Sequence, residues 1–146
     1  MQVDVLTEIV IDRPVAEVAG YAGDPDNAPE WYANIESIEW QTAPPVVVGS
    51  RMAFVAKFLG RRLSYTYEVA ELEPERRLVM RTEQGPFPME TTYTWAPVGD
   101  GQTRMSLRNR GEPSGFASIG APVMARAMRS ANTKDLVRLK KLLEHR

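Results

Sequence analysis

From residue 3 onward the chain alternates. Val3, Val5, Ile9 and Ile11 share one parity, and Asp4 and Glu8 take the other. A period of two predicts an opening β-strand with one covered face. The period then lengthens: in DRPVAEVAGYAGD, Val15, Val18, Ala19 and Ala22 recur at helical spacing, with Asp12 near the start and Pro14 suited to a first turn. A second short helical turn is predicted within DPDNAPEW, where Asp24 and Pro25 pair a capping carboxylate with a first-turn proline.

Between about residues 34 and 110 the pattern is strand and turn, repeated. NIESIEW precedes the breaker TAPP, and SRMAFVAKFL puts Met52, Phe54, Ala56 and Phe58 on one face before Gly60. LSYTYEV follows and carries Tyr65 and Tyr67 inward. A buried phenol without a partner costs roughly 1–3 kcal/mol, so these hydroxyls imply something polar opposite them. After EPERR, LVMRTE alternates Leu78 and Met80 with Arg81 and Glu83, and METTYTW aligns Met89, Thr91, Tyr93 and Trp95. GDGQ signals a hairpin into TRMSLRNR, with Met105 and Leu107 inward. Pro122 marks either a kink or the first turn of a final helix running to about Glu144. At 1.5 Å per residue that helix is about 35 Å long, enough to cross six or seven strands spaced about 4.8 Å apart. Val123, Ala127, Ala131, Leu136, Leu139 and Leu143 form its expected apolar stripe, opposite Arg126, Arg129, Arg138 and Lys141.

Length and composition narrow the classes. The 146 residues suit one domain, 1–146, and no repeat or linker argues for a second. Eighteen Lys+Arg against nineteen Asp+Glu leave a formal charge of -1, which gives no electrostatic reason to expect nucleic acid. With no cysteine, disulfides, thiolate nucleophiles and the usual structural zinc sites drop out. Asp4 and Glu8 interrupt the N-terminal apolar residues, and no run of 18 apolar residues occurs. The expectation is a cytoplasmic protein without membrane insertion.

One strand, a helical pair, six strands and a long C-terminal helix resembles the helix-grip fold of the START-related SRPBCC superfamily, in its polyketide cyclase/dehydrase and lipid-transport branch. The matching segments are IDRPVAEV, PEWYANIESIE, VGSRMAF, ELEPERRLVMRT, TYTWAPVGDGQTRMSL and DLVRLKKLLE, which together cover nearly the whole chain. The resemblance implies an α+β fold in which an antiparallel sheet of about seven strands wraps around the C-terminal helix. It also implies an apolar cavity between sheet and helix, faced by Tyr65 and Tyr67, that takes lipids, polyketides or other hydrophobic small molecules. No catalytic signature of the branch transfers residue by residue.

Candidate chemistry is sparse. The single histidine, His145, stands one residue from the C-terminus, so neither a catalytic triad nor a histidine metal cluster can be assembled. The acidic pairs Glu36/Glu39 and Asp24/Asp26 read as solvated surface charge, as do Arg126, Arg129, Lys134, Arg138, Lys140 and Lys141 on the last helix. GFASIG lacks the Lys-Ser/Thr of a phosphate loop. The inward aromatics and methionines form the candidate ligand site: Phe54, Phe58, Tyr65, Tyr67, Met80, Tyr93, Met105, Met124 and Met128, with Asn109 as a polar contact and Trp95 beside them. Thr82, Thr91 and Asn109 share the strand parity that would let them satisfy the tyrosines. Trp31 and Tyr32 occupy the segment that lies near the cavity mouth in the family, as a lid or as packing under a loop. The leading expectation is binding of a hydrophobic or aromatic small molecule with no metal or covalently bound cofactor. The alternative is a polyketide cyclase or dehydratase in which Tyr65, Tyr67 or Tyr93 orients an enol and an inward arginine or carboxylate moves protons. Because an ordinary tyrosine is a weak base at neutral pH, that alternative requires a strongly perturbed group. A third class is an interaction module whose cavity has collapsed.

Overall fold

The computed structural model describes residues 2–84, 88–112 and 120–146, with residues 83 and 84 described through their backbone only. Most of GFASIG and the Glu83 side chain therefore lie outside the described residues. The elements are β1 (Val3–Ile11), α1 (Val15–Ala22), a 3-10 turn (Pro25–Asn27), α2 (Ala28–Trp31), β2 (Ile35–Trp40), β3 (Arg51–Phe58), β4 (Arg61–Glu73), β5 (Arg77–Gln84), β6 (Met89–Val98), β7 (Gln102–Gly111) and α3 (Ala121–Glu144). The seven strands form one antiparallel sheet in the order β1-β7-β6-β5-β4-β3-β2. This is the α+β helix-grip arrangement, with α3 against the sheet.

Local chemistry sets the turns and the register. The β3–β4 hairpin closes through Leu59 and Gly60 at φ of 49° and 78°, the pair of positive values that a twist-compatible two-residue loop demands. Along β4 the alternation holds from Leu63 through Val69. A register shift between Val69 and Glu71 then exposes Glu71 and turns Leu72 toward the core. An extra residue in one strand flips the parity of everything after it.

The start of α3 accommodates Pro122 in its first turn, so the proline begins the helix and does not kink it. The buried stripe differs from the expected one in the N-terminal half. It runs through Met124, Met128, Asn132, Asp135, Leu136, Leu139 and Leu143, while Val123 is 57% exposed. Two polar residues occupy the middle of the buried face, and a purely apolar pattern steps around them onto Val123 and Ala127. The C-terminal half is clamped to the end of β1: Asp12 N donates to Glu144 Oε2 at 2.7 Å, Arg13 to Glu144 O at 2.8 Å, and Lys140 Nζ to Val10 O at 2.9 Å. Lys140 is thus half-buried and occupied, not solvated. Arg138 Nε similarly donates to Glu30 O at 2.8 Å and ties α2 to the helix.

The buried apolar residues fall into two clusters. The larger gathers Ile11, Val18, Trp31, Met52, Leu78, Trp95 and Met105 beneath Leu136, Leu139 and Leu143. The smaller joins Val3, Val5, Leu63 and Tyr65 to Met124 and Met128. Among the described residues no helix is long and apolar enough to cross a membrane.

Candidate ligand cavity

Lined by members of both clusters, a cavity of about 160 Å³ lies between the sheet and α3. β3 contributes Phe54, Ala56 and Phe58 to its wall, β4 contributes Leu63, Tyr65 and Tyr67, and β5 contributes Leu78 and Met80. Thr91 and Tyr93 come from β6, and Asn109 from β7. The roof is the inner face of α3, with Met124, Met128, Ala131, Asn132 and Asp135, and the segment from Ala22 to Ile35 closes one end through Ala28 and Tyr32. Alternation along each strand delivers these side chains to one face, which is why their parity was legible.

Nine of the eleven residues expected from sequence line this space: Phe54, Phe58, Tyr65, Tyr67, Met80, Tyr93, Asn109, Met124 and Met128. Trp31 and Met105 do not. Both are fully buried in the larger cluster. Trp31 backs the cavity wall, its ring centroid 4.1 Å from that of Tyr32 and 5.8 Å from that of Tyr93. Met105 pairs with Ile9 and Trp95 at the end of the sheet that α1 covers, so its inward parity meets α1 packing and no open space. Trp95 is filled in at that same end, with its ring edge against Gly23.

The hydroxyls are largely satisfied by one another. Tyr32 and Tyr93 share a hydrogen bond of 2.6 Å between their phenol oxygens. Thr91 Oγ1 donates to Asn109 Oδ1 at 2.8 Å, and the Tyr67 hydroxyl reaches Thr91. Thr82 is engaged elsewhere, accepting the Met89 N–H at 2.9 Å. Desolvation pushes Tyr67 up to about 12 and raises Tyr65, Tyr93 and Tyr32 further above the ordinary phenol value. All four are therefore neutral phenols near pH 7, able to orient a ligand and unfit to act as bases.

Asn132 and Asp135 were not expected from sequence. Four residues separate Met124 from Met128 and Met128 from Asn132, three separate Asn132 from Asp135, and four more lead to Leu139. That helical series carries the apolar face straight through both polar residues. Asp135 is 3% exposed and its Oδ1 accepts the Ala33 N–H at 3.0 Å. Burial raises its pKa to about 6, against the opposing pull of that hydrogen bond and of the Arg138 charge. It is the perturbed carboxyl that acid–base chemistry in this cavity would need. The Asn132 Nδ2 atom is buried and has no hydrogen-bond partner among the described residues.

The remaining charged candidates belong to the surface. Glu36 pairs with Lys57 at 3.2 Å and with Arg62 at 3.0 Å. Asp24 caps the Asp26 N–H, and Asp26 accepts the Trp40 indole N–H at 2.8 Å. His145 is exposed at the end of α3. Among the described residues no group of three or more His, Cys, Asp or Glu is placed to hold a metal.

A sequence model of the family described as polyketide cyclase / dehydrase and lipid transport matches residues 2–144. No curated protein matches the sequence. Among solved structures, a protein from Thermus thermophilus is 22% identical, covers 97% of each chain and superposes with a TM-score of 0.81. A START superfamily protein from Mycobacterium smegmatis is 14% identical over 97% of each chain, with a TM-score of 0.83. The Zhui aromatase/cyclase from Streptomyces sp. R1128 is 17% identical, covers 100% of this chain and 96% of its own, and has a TM-score of 0.79. At these identities the likeness is one of fold.

Proposed function

The chain belongs to the polyketide cyclase / dehydrase and lipid transport family, and from that premise we propose that it is a single-domain cytoplasmic protein that binds a hydrophobic or aromatic small molecule between its sheet and α3. The observation that carries this reading is the cavity itself. It is walled by aromatic, thioether and aliphatic side chains with a few convergent polar groups, as small-molecule sites generally are. The collapsed interaction module is correspondingly disfavoured.

Native mass spectrometry of protein purified from its own organism tests this reading, with Ala131→Phe as a cavity-filling partner experiment because Ala131 faces the space from α3. The wild type is expected to carry or take up an apolar compound that the folded variant does not. An unchanged ligand load in a variant with normal circular dichroism would place binding elsewhere.

One observation favours the second reading, an enzyme of the cyclase or dehydratase type. Asp135, with a pKa raised to about 6, faces the cavity near the Tyr32–Tyr93 hydroxyl pair. A carboxyl poised near neutrality can exchange a proton with a bound substrate. On this reading Asp135→Asn abolishes turnover of a trial polyketide-like substrate while leaving its binding intact. Equal loss of both would return the residue to a binding role.

A further inference from the structure

We propose that the outer face of α3 docks the protein on an anionic lipid surface. The step goes beyond the cavity: docking needs no bound guest, and it uses the side of the helix that faces solvent. Three observations lead there.

The first is charge without partners. On the sheet, cations are matched: Arg81 and Arg110 share Glu90, Lys57 and Arg62 share Glu36, and Arg108 takes Asp4. α3 holds six lysines and arginines and two acids, in a chain whose formal charge is only -1. Neither acid serves the outer face, because Asp135 is buried and Glu144 is engaged by Asp12 N and Lys140. Arg138 and Lys140 are tied to Glu30 O and Val10 O. Arg126, Arg129, Lys134 and Lys141 are exposed, and their side chains have no partner among the described residues. Like charges along one helix repel one another, and an anionic surface relieves that repulsion.

The second is the arrangement. Val123, Arg126, Ser130, Lys134, Val137 and Lys141 follow one another at intervals of three and four residues, along the side of the helix away from Met124, Met128 and Leu139. At 1.5 Å per residue the line is about 27 Å long. Val123 is 57% exposed and Val137 38%, so aliphatic side chains stand among the cations. A lipid headgroup layer is negative at its surface and apolar a few ångströms within, and it answers both kinds of side chain. A nucleic-acid backbone answers only the cations, and α3 carries no aromatic ring on which bases could stack. The third is what lies behind the helix. Met124 and Met128, on its inner side, roof the cavity. A docked α3 therefore sets that cavity one helix diameter, roughly 10 Å, from a bilayer, the phase in which apolar small molecules accumulate.

Flotation of the full chain tests the proposal, with vesicles of phosphatidylcholine alone and of phosphatidylcholine with phosphatidylserine. At about 0.1 M salt the protein is expected to float with the phosphatidylserine vesicles and not with phosphatidylcholine alone, and at about 1 M salt, where the screening length is roughly 3 Å, to be released. The double variant Arg126→Gln/Lys134→Gln is compared with Arg76→Gln/Arg104→Gln, which changes the net charge equally at exposed positions away from α3. At about fivefold per cation, the α3 pair is expected to lower vesicle affinity about 25-fold and the control pair less than about threefold. Circular dichroism checks that both variants fold. Equal losses in the two pairs would reduce the effect to net charge, and no preference for phosphatidylserine would leave the face merely solvated; either result overturns the proposal without touching ligand binding in the cavity. A tighter, α3-dependent association with duplex DNA or with polyglutamate, measured alongside, would overturn the lipid assignment in favour of a nucleic acid or an acidic protein.

Discussion

Asp135 links the chemistry of the cavity to the stability of the fold. Its carboxyl titrates at about 6 when buried, against 3.8 when free. Well below 3.8 it is neutral in both the folded and unfolded states, and it then imposes no charge-burial cost. As pH rises toward 6 the unfolded chain releases the proton first, so stability falls across that window and stays lowered above it. Asp135→Asn keeps an acceptor for the Ala33 N–H and cannot ionise. Urea denaturation should find this variant more stable than wild type by about 1–3 kcal/mol at pH 7.5, with the decline between pH 4 and 6 flattened. A variant less stable than wild type at pH 7.5 would mean that the ionised carboxylate is itself a stabilising partner. The same residue scale answers what an inward tyrosine on β4 faces. The Tyr67 hydroxyl reaches Thr91, which in turn donates to Asn109. Tyr67→Phe should therefore cost about 1 kcal/mol in the empty protein and change ligand affinity little. Unchanged stability with a loss of affinity would assign that hydroxyl to the ligand. Parity along the sequence identified Tyr67, Thr91 and Asn109 as facing one space; it could not say which of them pair.

At the scale of elements, the strands were the most legible part, because a sheet with one covered face writes its burial directly into alternate positions. The opening strand shows this, with Val3, Val5 and Ile11 buried and Asp4 and Glu8 on the other parity. The bulge in β4 is where alternation stops, and the exposed Glu71 beside Leu72 is its trace in the sequence. α3 was legible in length but not fully in orientation. Its buried face includes Asn132 and Asp135, and no rule of apolar spacing admits polar residues into a core stripe. Met105 shows the converse limit: it is inward, but a residue's parity does not reveal whether another element has already filled the space it points into, and of the two roles open to Trp31 the structure shows packing. Leu59 is held at φ of 49° and is 46% exposed, so its backbone conformation is costly and its side chain gains little. Asn tolerates that conformation, and Leu59→Asn should stabilise the protein by about 1 kcal/mol, read as a shift in the denaturation midpoint at constant slope. A loss of stability would show that the Leu59 side chain packs more than its exposure implies.

For the whole molecule, the order of elements carried the fold, and the resemblance carried the family together with the expectation of a cavity between sheet and helix. Its walls draw on both apolar clusters, Phe54, Leu78, Met80 and Tyr93 from the larger and Leu63, Tyr65, Met124 and Met128 from the smaller, so its shape is a tertiary property that no single segment of sequence carries. Clamps at the far end, from Asp12 and Arg13 to Glu144 and from Lys140 of α3 to Val10, fix that half of the helix to the sheet. The half bearing Met124 and Met128 roofs the open space. On the proposed reading this space stands ready for an apolar guest, and a crystal of the ligand-free protein pressurised with xenon would show it. Xenon binds preformed apolar cavities without needing a specific polar contact. A xenon peak bounded by Phe54, Met80 and Met128 is expected; no peak, with these three side chains meeting across the space, would mean that the protein holds no preformed apolar site there.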